Sequence, residues 1–83
     1  MFEAEVNRLS QVKKQCQFDA LVDFCYNCGI QNFRKSTLRK YVIAGRKTWE
    51  IQKEFLRWTK SGGVELGGLV TRRIWEAARY AEE

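Results

Sequence analysis

The chain has 83 residues, enough for one small domain, and its 45% apolar content is too high for a disordered tail. It has no proline and only six glycines, which suits helices joined by glycine turns and excludes a many-stranded barrel. A net charge of +5 favours polyanionic partners such as nucleic acid, an anionic membrane or a bacterial wall, without choosing among them.

Periodicity predicts an all-α chain of about five helices. The first covers Phe2 to Lys14, with Phe2, Val6, Leu9 and Val12 on one side and Glu3, Glu5, Arg8 and Lys13 on the other. The second, Gln17 to Cys28, carries Phe18, Leu21, Val22, Phe24, Cys25 and Cys28 over most of its circumference and is expected at the centre of the fold, closed by Gly29. A third follows the cap residue Ser36 and carries Leu38, Tyr41, Val42 and Ala44 up to Gly45. A fourth runs from Thr48 through Trp49, Ile51, Phe55 and Trp58, and ends before Ser61-Gly62-Gly63. After a glycine-rich loop to Gly68, a fifth begins near Leu69, with Leu69, Val70, Ile74, Ala77, Ala78 and Ala81 expected inside and fraying expected at Glu82 and Glu83. Leu21, Val22, Phe24, Leu38, Phe55 and Ile74 form the expected core. There is no internal repeat, low-complexity stretch or linker, so one domain is expected.

The chemistry-bearing residue types narrow the options. There is no histidine, so nucleophile–histidine pairs cannot be built. Cys25 and Cys28 form a Cys-x-x-Cys, but at the wrong end of the helix to stabilise a thiolate, and three cysteines without histidine fall short of a zinc site. They read as core thiols, and no cofactor or metal is expected. The odd cysteine count and the lack of a secretion signal argue for reduced thiols in the cytoplasm of a cell as an expectation. No apolar run is long enough to span a membrane, so no membrane partner is expected. Arg34, Lys35, Arg39, Lys40, Arg46 and Lys47 form a basic stretch that fits a nucleic-acid reader, but a solvated helix face is the favoured reading. Asp19 and Asp23, four apart on one helix, could be a pair of carboxylates flanking a sugar bond, but a surface ion-pair cluster with Arg72 or Arg73 is favoured.

The stretch from Gln17 to Gly29, read with its neighbours, goes further. Gln17-Phe18-Asp19-Ala20-Leu21-Val22-Asp23-Phe24-Cys25-Tyr26-Asn27-Cys28-Gly29 resembles the signature helix of phage-type lysozymes. Phe33 with Ser36-Thr37-Leu38, then Phe55-Leu56-Arg57-Trp58, then Gly62-Gly63 and Gly68-Leu69-Val70-Thr71-Arg72-Arg73 with Glu76, resemble later blocks of that family in the same order. The resemblance implies a muramidase that cuts the β-1,4 bond of peptidoglycan in a cleft between two lobes joined by a long helix. Residues 1–14 would be the end of that joining helix, and residues 15–83 the carboxy-terminal helical lobe. The family's general acid is a glutamate followed by an aspartate nine positions later and a threonine six beyond that, with a Tyr-Gly-His hairpin. None of these occurs in the 83 residues. The sequence also has Gly67 where some members have proline, so a more mobile loop is expected there.

The expectation is therefore a lobe with no catalytic residue of its own, inactive by itself, whose substrate is the peptidoglycan glycan strand, bound weakly as one cleft wall. Tyr26 and Asn27 at the end of the signature helix, with Ser36 and Thr37 at the next helix start, are the expected substrate-binding residues. Aromatic faces stack on sugars, and amides pair with hydroxyl and acetamido groups. Asp19, Asp23, Arg72 and Arg73 are the expected lobe-docking and structural residues. One arginine is expected to pair with Asp19 or Asp23, and the other to face the cleft. Tyr26 reads equally as a core aromatic, Asn27 as a turn support and Ser36 as a plain cap. An amino-terminal lobe is an expected partner, self-association through a bared apolar face a further one, and nucleic acid the disfavoured one.

Overall fold

A computed structural model describes residues 2–83; Met1, the first residue of the expected joining-helix segment, lies outside the described residues. Six helices and one short hairpin follow in chain order: α1 (Phe2–Ser10), α2 (Gln15–Cys28), α3 (Ile30–Lys35), α4 (Thr37–Ala44), α5 (Thr48–Phe55), β1 (Lys60–Ser61), β2 (Val64–Glu65) and α6 (Gly67–Tyr80). The fold is all-α apart from this hairpin, as the periodicity predicts.

The α2 helix is central, packed against α1, α3 and α6. Its Ala20, Leu21, Phe24 and Cys25 are buried with Val6, Leu9, Phe33, Leu38, Val42, Ile51, Phe55, Ala77 and Tyr80. Phe24 is the hub, meeting Phe33, Phe55 and Trp58 edge-on at centroid distances of 6.1, 5.8 and 5.4 Å. Such aromatic pairs add roughly 0.5–1.5 kcal/mol each beyond the area they bury, which matters in so short a chain.

Several boundaries differ from the periodicity reading. The first helix stops at Ser10, not Lys14, because Gln11 takes a positive φ of 57° and turns the chain toward α2. Residues 30–35, read as a connection, form α3, which starts directly after Gly29 (φ 99°) and buries Phe33. The fourth expected helix ends at Phe55, three residues before Trp58. The glycine-rich loop is an antiparallel hairpin, Lys60 opposite Glu65 and Ser61 opposite Val64. Gly62 (φ 60°) and Gly63 (φ 83°) supply the two positive φ values that a tight hairpin turn needs. The last helix begins at Gly67, two residues earlier than expected.

The α6 helix presents a different face from the one expected. Arg73, Glu76, Ala77 and Tyr80 are buried, while Ile74 is 55% exposed and Trp75 51%. Ala78 and Ala81, also expected inside, are exposed. Of the six expected core residues, Leu21, Phe24, Leu38 and Phe55 are fully buried, Val22 is half-buried, and Ile74 is at the surface. An ion pair, Arg73 with Glu76, occupies the place the periodicity gave to Ile74.

Candidate functional site

The carboxy end of α2 delivers Tyr26 and Asn27 to the surface. Tyr26 is 83% exposed, its ring edge-on to Phe2 at 6.3 Å, so it is no core aromatic. The next residue, Asn27, opens onto a recess of about 270 Å³ that is also walled by Cys28, Asn32, Trp58, Lys60, Leu69 and Arg73. Asn32 Nδ2 donates to the Cys28 carbonyl at 2.7 Å and braces this end of α2.

Behind the recess, Arg73 is fully buried. Its Nη2 donates to Asn27 Oδ1 at 2.8 Å and to Glu76 Oε2 at 3.0 Å. Its Nη1 reaches the Cys28 thiol and, at 3.5 Å, the Trp58 carbonyl. Its Nε stands 2.9 Å from Glu76 Oε1, an ion-pair contact and not an aligned hydrogen bond. The guanidinium also sits over the Phe24 ring, 5.2 Å from its centre. Burial pushes the Glu76 carboxyl up to about 9, a hydrogen bond with Asp23 adds to this, and Arg73 opposes it. Glu76 has no exposed surface, so its unusual carboxyl cannot reach a bound substrate.

The other expected site residues are placed as follows. Ser36 is buried and caps α4: its hydroxyl accepts from the Arg39 amide at 3.0 Å and donates to the Phe33 carbonyl at 2.7 Å. Thr37, exposed, opens α4, and neither residue lines the recess. Asp19 pairs with Arg79 at 2.6 Å and accepts from Gln15 at 2.7 Å; the Arg79 hydrogen bond, then that from Gln15, holds its carboxyl below the ordinary carboxylate range. Asp23 takes Arg72 at 2.8 Å. The two aspartates thus serve different cations and do not face one sugar bond. Both arginines have carboxylate partners, and Arg73 lies inside the protein, not on an open face.

The alternatives to a glycan wall lose ground on the same geometry. Arg34 is tied to Glu5 at 2.9 Å, Arg39 to the Leu9 carbonyl at 2.8 Å and Arg46 to Glu50 at 2.5 Å, so the basic stretch is no continuous free face. Burial pushes the Cys25 thiol up to about 12, the reverse of a reactive thiolate. Among the described residues no group of side chains could hold a metal ion, and no helix is long and apolar enough to cross a membrane.

Sequence reasoning missed Trp58, Lys60, Cys28 and Asn32 as recess residues and Glu76 as the partner of Arg73. The Arg-x-x-Glu spacing was the available signal, since residues three apart share a helix face.

The family model for phage lysozyme matches residues 1–76. The chain belongs to the phage lysozyme family. Among its relatives, the endolysin of Bacillus phage PZA is 49% identical over 76 residues, 90% of this chain and 29% of that protein. The endolysin of Bacillus phage B103 is 51% identical over 66 residues, 80% of this chain and 25% of that protein. The solved muramidase domain of SpmX from Asticaccaulis excentricus superposes with a TM-score of 0.88 at 33% identity, covering 99% of this chain and 58% of that one. This phage lysozyme chain therefore spans less than a third of the endolysins and somewhat over half of the muramidase domain it matches.

Proposed function

We propose that these 83 residues form the carboxy-terminal, glycan-facing lobe of a peptidoglycan muramidase, binding the wall glycan without cleaving it by themselves. The observation that carries the reading is the end of α2: an 83% exposed Tyr26 followed by Asn27, which lines a recess with Trp58 and Lys60. An amide and an indole in one recess, with an exposed aromatic at the adjoining position of the helix, suit a sugar with acetamido groups. Asn27 and Tyr26 contact the glycan; Thr37, exposed at the start of α4, is proposed as a further contact; Ser36 holds the α4 start in place. The names of the relatives, endolysin and muramidase domain, support peptidoglycan as the substrate and the cell wall as the site of action.

Cleavage needs a protonated carboxyl poised at the glycosidic oxygen and a second carboxylate or water site opposite. The raised carboxyl in this lobe, Glu76, is sealed inside, and Asp19 and Asp23 carry arginine partners. A missing general acid alone costs roughly 10²–10⁴-fold. A lobe carrying the family's catalytic glutamate is the partner that completes the cleft.

Two measurements test this. Purified protein added to a cell-wall suspension is expected to leave the turbidity unchanged; clearing by protein free of contaminating lysozyme would sink the inactive-lobe reading. In sedimentation with purified peptidoglycan, the protein is expected to co-pellet, and Tyr26→Ala to pellet several-fold less. Equal pelleting of the two would remove Tyr26 from the site.

A further inference from the structure

The fully buried arginine behind the recess has no contact with solvent. An arginine side chain has only donors, so the atom of Asn27 that faces it must be the amide oxygen. The Asn27 Nδ2 group then points away from Arg73, and it makes no hydrogen bond among the described residues. Arg73 in turn is fixed from four sides, by Glu76, the Cys28 thiol, the Trp58 carbonyl and the Phe24 ring. A buried guanidinium and a buried carboxyl taken wholly out of water are an expensive way to hold a helix end, and an apolar pair of similar volume often does as well or better. What an apolar pair cannot do is set the orientation of a surface amide.

We propose that Arg73, held by Glu76, is a positioning residue that locks Asn27 with its two amide donors toward the recess. This rests on the glycan-wall reading for its purpose, though the lock itself stands on the hydrogen bonds alone. It defines the ligand group more narrowly: an acceptor oxygen, the carbonyl of an acetamido or peptide group or a carboxylate, and not a hydroxyl or amine acting as donor. Lys60 on the same wall favours the same polarity.

The test needs no ligand at first. Asn32 is an internal control, because its Nδ2 group is held by the Cys28 carbonyl and does not touch Arg73. In 15N relaxation of the side-chain amides, Asn27 and Asn32 of the parent are expected to be similarly ordered. In Arg73→Lys, which cannot reproduce the fork, Asn27 is expected to loosen while Asn32 stays ordered. Asn27 remaining as ordered as in the parent, or both amides loosening together, would overturn the lock. If Arg73→Lys does not fold, Asn27→Asp decides, since a carboxylate offers Arg73 the same oxygen. Its melting temperature is expected at or above that of the parent, and a clear fall overturns the proposal. Titration with chitotetraose then reads the donors: Asn27→Asp is expected to bind about tenfold more weakly, of the order of one lost hydrogen bond, and unchanged affinity would overturn the donor assignment. A parent protein that does not bind chitotetraose sinks the glycan reading, and the comparison of Asn27 with Asn32 still decides the lock.

Discussion

Glu76 is the residue whose protonation should govern the stability of this lobe. Its carboxyl, ordinarily near 4.5, is pushed up to about 9 in the folded chain, mainly by burial. A raised folded-state value means that the native protein holds a proton the unfolded chain has already released. Its stabilising contribution is complete below about 4.5 and is lost as the pH rises toward about 9. Asp19, lowered by Arg79, acts in the opposite sense: its contribution is present above 3.8 and disappears as the pH falls further. Urea midpoints of the parent are therefore expected to be highest near pH 5 and to decline toward pH 9. Glu76→Gln keeps an acceptor for Arg73 and a donor for Asp23, and should flatten that decline; an equal slope in both proteins would contradict the assignment. Arg72 behaves differently. Its pair with Asp23 is about half exposed, with the arginine side chain at 47% and the aspartate at 22%, and such pairs are worth about 0–1 kcal/mol. Arg72→Ala is thus expected to lower the unfolding free energy by no more than about 1 kcal/mol, measured by denaturant titration at neutral pH.

At the scale of elements, the hairpin and α6 fix the recess together, since β1 brings Lys60 and α6 brings Arg73 and Leu69 to one wall. Gly63 sits at φ 83° with open space around it, so an added methyl meets no neighbour but must adopt a left-handed backbone. Gly63→Ala is expected to cost about 1–2 kcal/mol, read from thermal melts, and to weaken peptidoglycan pelleting as Lys60 loses its anchor. A melt identical to the parent would show that the turn conformation carries no strain. Much of this level was legible beforehand. The central α2, the Ser36 cap of α4 and the αL glycine at position 45 follow from apolar periodicity and cap chemistry. The inward face of α6 was not, because periodicity ranks side chains by hydrophobicity, and a buried Arg73–Glu76 pair reads as surface until its partners are seen. Nor was α3: six residues with a single buried aromatic, Phe33, leave too short a stripe to register. The site was legible only in part. The resemblance of the signature helix singled out Tyr26 and Asn27, while Trp58, Lys60 and Asn32 come from three other elements or turns that only folding brings together.

For the molecule as a whole, the three thiols give a measure of how it opens. Cys16 and Cys25 are 0% and 1% exposed, and Cys28 is half-buried on the recess wall beside Arg73. A water-soluble disulfide reagent must wait for the core to open before it can reach the first two, whereas Cys28 needs only a local movement of the recess. Reaction is therefore expected in two phases, one thiol quickly and two slowly, with the slow phase tracking the unfolding rate across urea concentrations. Three thiols reacting at one rate would contradict this order. A ligand seated in the recess should slow the fast phase alone. The thiol next to the arginine thus becomes a footprint of occupancy, and the pair in the core a clock for the lifetime of the native state, both read in one tube without any label.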